Sequence, residues 1–204
     1  MHPLVFLAYV GVTSAATFTI AAFAPNSEVD GAVLNAMGHS FYTGASGPAT
    51  FCPSSTVPSC PDVKGTLVTG GFTAMAAMVP GGQQVYVSPN GQIKYTLAHT
   101  AFMPRGSYTG GWFNKTVVQD CGPTVEVLDW LATDGSNSGG LALCPKVASF
   151  LAGTGASYSL YARTPQFNQN DCVDVLGLVQ QSSNAGYGCW QYLTDVENLY
   201  LSSF

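Results

Sequence analysis

The chain has 204 residues, a length that suits one domain better than two. Charged residues make up 8% of it and the net charge is −5, whereas an ordinary cytosolic domain carries roughly 25% charged residues. The six basic residues are scattered, which argues against nucleic-acid binding, and the 12% of aromatic residues argues against a disordered chain.

The N-terminus has the features of a secretory signal. Residues 3–12 form an apolar run of signal-peptide length, followed by the small residues Thr-Ser-Ala-Ala that fit a small-x-small cleavage rule. We predict a signal peptide over residues 1–16, cleaved after Ala15 or Ala16, and one secreted β domain over residues 17–204. The apolar run is about half of the roughly 20 residues that a membrane anchor needs, so no membrane association is expected after cleavage. A buried N-terminal strand is the other alternative.

Short alternating segments separated by Gly, Pro, Asn and Ser predict many short strands along the rest of the chain. In chain order these are residues 18–23, 32–37, 40–43, 65–79 (one or two strands), 84–88, 92–96 with an extension over 97–102, 124–131, 141–145, 157–163, 172–179 and 189–192. Residues 172–179 also fit a helix, but their valines and glycine favour a strand. Residues 194–204 are expected to form a short tail.

The best-defined element is a hairpin around Pro89-Asn90-Gly91. This tripeptide suits a tight reversal, and residues 84–88 and 92–96 alternate on either side of it. The alternation places Val85, Val87, Ile93 and Tyr95 on one core face. Ten or more such strands predict an all-β fold, either an antiparallel β-sandwich or a closed barrel, with a β-trefoil-like variant as a further alternative.

An even number of cysteines remains in the predicted mature chain, and this indicates three disulfides in an exported protein. They are Cys52, Cys60, Cys121, Cys144, Cys172 and Cys189. The sequence leaves their connectivity open; pairing of sequence neighbours would join Cys52 to Cys60, Cys121 to Cys144 and Cys172 to Cys189. There is no C-x-x-C motif and no histidine close to a cysteine, so no metal site is expected.

A Gly-rich segment with aromatic residues offers the best candidate for ligand binding. Tyr108, Trp112 and Phe113 lie in it, and such side chains stack on the apolar faces of sugar rings. Trp130 and Trp190 lie closer to cysteines, where core packing is expected. Asn114-Lys115-Thr116 is an N-glycosylation sequon, which predicts that Asn114 lies on the surface.

No catalytic motif is present, and neither a catalytic residue nor a cofactor is assigned. The two histidines of the mature chain, His39 and His99, have no G-x-S-x-G partner and are interpreted as structural. A glycosidase would need two carboxyls facing each other across a cleft. The candidates are Glu28, Asp30, Glu126, Asp129, Asp134, Asp171 and Asp174. Glu126 and Asp129 fall on opposite faces of the predicted strand, since their separation is odd.

Several blocks of the sequence resemble a known family. They are PGGQQVYVSPNGQIKYT, the opening FTIAAFAPNSEVDGAVLNAMG, the LALCP block around Cys144, and the spaced Cys172 and Cys189. Together they resemble small secreted fungal proteins that include the phialide-associated cell-wall protein and sequences labelled IgE-binding protein. The resemblance implies an extracellular protein associated with the cell wall, and it supplies no active site.

We therefore expect a secreted fungal protein of the cell wall, structural or weakly carbohydrate-binding and non-enzymatic, with wall polysaccharide as its partner. The first alternative is a secreted polysaccharide hydrolase with a carboxylate acid/base pair. The second is a secreted effector or allergen that binds a host protein. The sequence makes no prediction of oligomeric state.

Overall fold

The computed structural model describes residues 16–61, 63–119 and 122–194. The predicted signal peptide up to residue 15, most of the predicted tail and Cys121 lie outside the described residues. Within the described part of the chain there is no α-helix, only a short 3₁₀ turn at Ser149–Leu151. No helix in these three ranges is long and apolar enough to cross a membrane.

Fifteen short strands lie within the described residues. They are β1 (Thr17–Phe23), β2 (Asn35–Met37), β3 (Ser40–Tyr42), β4 (Thr50–Phe51), β5 (Val68–Thr69), β6 (Ala74–Met75), β7 (Val85–Val87), β8 (Ile93–Tyr95), β9 (Trp112–Val117), β10 (Val125–Trp130), β11 (Leu141–Cys144), β12 (Ser159–Ala162), β13 (Val173–Val175), β14 (Gly177–Ser183) and β15 (Gln191–Tyr192).

The strands form two main sheets, and every pairing between them is antiparallel. One sheet has six strands in the order β6-β5-β1-β14-β10-β9. The other has seven, in the order β13-β11-β12-β3-β8-β7 with β2 on β3. Strands β4 and β15 pair separately. Neither main sheet closes on itself, so the predicted all-β fold is a sandwich, not a barrel or a trefoil.

One hydrophobic core lies between the two sheets. The six-stranded sheet contributes Ile20, Leu128, Trp130 and Leu178, and the seven-stranded sheet contributes Phe41, Val87, Ile93, Leu143 and Leu160, all at most 3% exposed. Full burial of one such side chain contributes about 1.5–3 kcal/mol, so the core is the main source of the stability of the sandwich.

The predicted hairpin is confirmed. Val85 lies opposite Tyr95 and Val87 lies opposite Ile93, and all four side chains are buried in the core. The backbone N–H of Gly91 donates to the carbonyl of Ser88 at 2.8 Å, and Gly91 has a φ of 92°. A glycine tolerates this left-handed backbone without strain, which is why the reversal occurs here.

Three other predictions need correction. Residues 97–102 do not extend the hairpin, because the chain turns there and His99 has a φ of 63°. Residues 172–179 are not one strand: β13 belongs to the seven-stranded sheet and β14 to the six-stranded sheet, and the chain crosses between them at Leu176. The Gly-rich aromatic segment, for which no strand was predicted, contains β9, which lies at one edge of the six-stranded sheet.

Two disulfides are formed among the described residues, Cys52–Cys60 and Cys144–Cys172. The first is one of the pairs that joining sequence neighbours would give, and the second excludes the other two, Cys121–Cys144 and Cys172–Cys189. Cys144 ends β11, and β13 pairs with β11 so that Val173 lies opposite Leu143. The register therefore brings Cys172 opposite Cys144. Cys189, predicted to be in a disulfide, has a free thiol and is buried in the core.

Candidate functional site

On the core-facing side of the six-stranded sheet, the side chains of the outer strands β9 and β10 change from buried and apolar to exposed and polar. Trp112 lies opposite Trp130, Asn114 opposite Leu128, and Thr116 opposite Glu126, so all of these side chains share one face. Trp130 and Leu128 are buried in the core. Asn114, Thr116 and Glu126 are exposed. The face therefore passes from an apolar core to a polar surface within one strand length.

Strand β14 continues this polar surface. Leu128 lies opposite Leu178, so the same register brings Gln180 beside Glu126 and places Ser182 on the same face. Gln180 is half-buried and Ser182 is exposed. Because β9, β10 and β14 are neighbours in the sheet, their polar residues form one continuous patch.

Two hollows on this side of the sheet share Asn114 in their linings, and we call the two together the β9 groove. The first has a volume of about 280 Å³ and is lined by Gly70, Gly71, Thr73, Gly110, Gly111, Trp112, Phe113, Asn114 and Leu128. The second has a volume of about 240 Å³ and is lined by Asn114, Glu126, Val127, Gln180 and Ser182. Asn114 lines both hollows, so the groove runs from the indole of Trp112 to the polar patch.

The indole of Trp112 is supported from below by Phe72. The two ring centroids are 4.7 Å apart, and Phe72 is fully buried while Trp112 is half-buried. Gly70, Gly71 and Phe72 have φ values of 61°, 64° and 68°, so three consecutive residues adopt a left-handed backbone. For Phe72 this conformation costs about 1–2 kcal/mol, and burial of its ring in the core offsets that cost.

The polar part of the groove presents amide, hydroxyl and carboxylate groups. The Nε2 of Gln180 donates to the Oδ1 of Asn114 at 3.3 Å. Glu126 is exposed and has no ion pair among the described residues. Such groups donate to and accept from hydroxyls, and an indole beside them offers an apolar surface. This combination can hold a ring that is apolar on its faces and carries hydroxyls on its rim.

The opposite face of β9 is fixed to β10 by an ion pair. The Nζ of Lys115 lies 2.5 Å from the Oδ2 of Asp129, whose Oδ1 accepts from the backbone N–H of Trp130 at 2.8 Å. Asp129 is buried, so loss of Lys115 would leave a buried carboxylate with one remaining partner. The pair holds the edge strand in place behind the groove.

The three aromatic residues predicted as a ligand site are not brought together as one surface. Phe113 borders the groove, but its side chain alternates to the opposite face from Trp112 and is 42% exposed. Tyr108 does not line the groove: its ring packs on Trp130 at 5.3 Å and its hydroxyl donates to Asp134 at 2.6 Å. Trp112 is therefore the one member of the predicted trio that faces the groove.

The hydrogen bond from Tyr108 affects both partners. It is the main reason that the pKa of the Tyr108 hydroxyl is raised. The pKa of Asp134 is lowered to about 2, first by a side-chain hydrogen bond from Ser136 and then by the one from Tyr108. Asp134 thus stabilises the turn that follows β10, where its Oδ1 accepts from the backbone N–H of Ser136 at 2.9 Å. Trp130 is buried as expected, and Trp190 is half-buried.

Neither histidine lies in the β9 groove. The Nε2 of His39 is 3.1 Å from the hydroxyl of Tyr86. His99 is exposed and borders a separate hollow of about 460 Å³ with Pro80, Gln84 and Thr96. Across the described residues, no group of three or more histidine, cysteine or acidic side chains could hold a metal ion.

Most of the carboxylates named from the sequence have local partners. Glu28 accepts from the hydroxyl of Tyr158, Asp30 accepts from the backbone N–H of Ala24, and Asp174 pairs with Arg163. Asp171 is exposed and has a left-handed backbone. Among the residues that line the β9 groove, Glu126 is the sole carboxylate. The two facing carboxyls that a glycosidase needs do not meet there.

The sequence did not point to Gln180 and Ser182. A signal was available in the stretch GLVQQSS, where every second residue from Leu178 onward changes from apolar to polar. Recognising it as part of a site requires knowing that β14 lies beside β10, which is a non-local pairing.

Comparisons with known proteins place the chain in a family. A family model described as PhiA-like secreted protein matches residues 18–193. An uncharacterized secreted protein of the fungus Arthroderma benhamiae is 33% identical over 193 residues, which cover 93% of this chain and 94% of that protein. No solved structure matches the chain significantly. The chain therefore belongs to the family of PhiA-like secreted proteins, which confirms the resemblance seen in its sequence.

Proposed function

We propose that this secreted protein associates with the fungal cell wall and binds wall polysaccharide weakly, without enzymatic activity, through the β9 groove. The observation that carries the proposal is the half-buried indole of Trp112 on the same face as Asn114, Glu126 and Gln180. An indole that stacks on a sugar ring, with amide and carboxylate groups beside it, is suited to an uncharged polysaccharide.

The charge of the groove supports an uncharged ligand. No lysine or arginine is among the residues that line either hollow, and the protein carries a net charge of −5. Anionic polymers would be repelled, whereas glucan, chitin and mannan carry no charge. We expect binding to change little with ionic strength, because salt screens contacts between charges and not stacking.

The size of the groove supports weak binding. Sites for drug-sized ligands have volumes of about 300–1,000 Å³. At about 280 and 240 Å³, each hollow is smaller than this range and suits one sugar ring. A protein that holds one or two rings of a polymer through a single shallow site binds weakly, and its occupancy on a wall depends on the high local concentration of such rings.

Two further observations support a wall protein that is not a hydrolase. The described part of the sandwich contains two disulfides, and such bonds persist in an oxidising extracellular environment. The described lining of the groove offers a single carboxylate, Glu126, where an acid/base pair would require two. Membership in a family of secreted proteins supports secretion. The chemistry of the groove, which suits polysaccharide, favours the cell wall as the location of the secreted protein.

The test is retention on insoluble chitin, β-glucan and mannan, with protein made oxidised and without N-glycans. Trp112→Ala should reduce retention about tenfold, because the stacking surface is removed. Gln180→Ala should reduce it also, and this variant disturbs no core residue. Phe102→Ala is the matched control, since Phe102 is 74% exposed and lines none of the described hollows.

Three outcomes would contradict the proposal. Retention that survives both Trp112→Ala and Gln180→Ala would exclude the β9 groove as the site. Release of soluble sugar that is lost in Glu126→Gln would establish the hydrolase alternative. If the protein binds none of the three polymers and captures a host protein instead, the effector or allergen alternative would be established.

A further inference from the structure

We propose that Asn114 carries an N-linked glycan that lies in the β9 groove and blocks it, so that glycosylation controls polysaccharide binding. The inference rests on the proposed function for the role of the groove, but the position of the glycan can be tested separately. It arises from one fact of the structure: the sequon and the groove share the same asparagine.

The sequon is presented in a form that a glycosylating enzyme can reach. Asn114 and Thr116 lie on the same face of β9, and both are exposed. In the described part of the chain β9 is an edge strand, with β10 on one side and no strand on the other. The extended backbone of the acceptor segment is therefore open along its free edge.

The amide of Asn114 is held in a way that leaves its nitrogen available. Its Oδ1 accepts from the Nε2 of Gln180 at 3.3 Å, and its Nδ2 has no hydrogen-bond partner among the described residues. Transfer from a lipid-pyrophosphate sugar donor forms a bond between Nδ2 and C1 of the sugar. The C1–O bond to the pyrophosphate breaks, the lipid pyrophosphate leaves with the electron pair, and one Nδ2 proton is lost to a base. The bond to Gln180 can persist throughout.

The first sugars of a glycan on Asn114 lie close to the indole of Trp112. Asn114 lines both hollows, so a sugar on its nitrogen starts next to both of them. Trp112 is two residues away on the same face, a distance of about 7 Å along a strand, which the first or second ring of a glycan spans. The glycan would therefore cover the indole with its own sugar ring.

The experiment compares three proteins secreted by a host that attaches N-glycans: the wild type, Thr116→Val and Thr116→Ser. Valine keeps the β-branched shape and removes the sequon, whereas serine keeps the sequon. Thr116 lies on the polar patch but lines neither hollow. The three proteins are therefore also made without N-glycans, and equal retention of these forms shows that the side-chain changes themselves do not alter binding. The mass of the intact protein shows whether the glycan is attached. Quenching of Trp112 fluorescence by acrylamide measures how far the glycan covers the indole, and it is obtained as the difference between each protein and the same protein with Trp112→Phe. Retention on polysaccharide is measured on the monomeric fraction.

The proposal expects a glycan on wild type and Thr116→Ser, with quenching of Trp112 and retention both lower than in Thr116→Val, retention by about tenfold or more. A wild type without a glycan at Asn114 overturns the proposal, and so does equal quenching of Trp112 with and without the glycan. If quenching differs but no form binds polysaccharide, the covering glycan is supported and the proposed function is contradicted. If quenching differs but both forms bind equally, control by the glycan is overturned.

Discussion

The buried thiol of Cys189 shows how much a single residue depends on its surroundings. It is 3% exposed, and burial raises its pKa to about 12, while a hydrogen bond with Tyr192 lowers it slightly. In the unfolded chain the thiol ionises near 9.0. A cysteine in this state is inert toward metals and oxidants, since the thiolate is the reactive form. The residue therefore packs the core and does not act as a third disulfide in the described structure.

This pKa shift predicts a loss of stability at alkaline pH. The thiol of Cys189 has a higher pKa in the folded protein than in the unfolded chain, so its contribution to the free energy of unfolding is complete below pH 9. This contribution is lost as the pH rises from 9 toward 12, because in that range the unfolded thiol releases its proton and the folded one keeps it. The loss from this group is about 1 kcal/mol by pH 10. Urea unfolding of wild type and Cys189→Ala between pH 8 and 10 measures it, and the variant should show the smaller decline. Equal declines, or a mass map with Cys189 in a disulfide, would contradict the assignment.

Trp112 shows what the sequence could and could not predict about the site. It was predicted as a ligand-binding candidate because it lies in a Gly-rich segment with other aromatic residues. Its partners in the groove were not, because Gln180 is 68 positions away in the sequence and joins the site through the pairing of β10 with β14. Phe113 was predicted with Trp112 because the two are adjacent, but adjacent residues in a strand face opposite sides.

At the scale of elements, local order was predictable and non-local pairing was not. The turn and the two facing strands of the β7–β8 hairpin were predicted, since the turn residues and the alternation are contiguous in the chain, whereas the extension over residues 97–102 was wrong. The partner of Cys144 was not predicted, because it depends on the register of β11 against β13. The crossing at Leu176 was missed for the same reason: a run of apolar residues looks like one strand whether or not it changes sheets.

The turn between β5 and β6 predicts a test of the support beneath Trp112. The methyl group of Gly71→Ala would meet no neighbouring atom, but the residue would keep a left-handed φ of 64°, which alanine disfavours. The substitution should therefore destabilise the protein by about 1–2 kcal/mol. Gly110→Ala is the matched control, since it also borders the groove with open space around it but has no left-handed backbone. Urea unfolding measures both, and equal stability of the two variants would show that the left-handed turn is not strained.

At the scale of the whole molecule, the groove exists because the six-stranded sheet is only partly covered by the core. Its face packs against the seven-stranded sheet through Leu128 and Trp130 of β10 and Leu178 of β14, with Trp112 of β9 packed against this core. The same three strands continue outward as Glu126, Gln180 and Asn114. The structure that holds the fold together and the surface that we propose to bind sugar are therefore two ends of the same three strands. A rigid sheet positions the polar groups without a mobile loop, which favours a fixed, shallow site.

The central claim is that this groove recognises sugar. It is tested most directly by ¹H–¹⁵N correlation NMR of the unglycosylated protein, titrated with short chito-, β-gluco- and manno-oligosaccharides. We predict that one of these ligands shifts the indole N–H of Trp112, the side-chain amide of Gln180 and the backbone N–H groups of Gly71 and Gly110, while the remaining signals stay in place. Shifts confined to the separate hollow beside His99, or no shift at the four groove positions with any of the three ligands, would contradict the account.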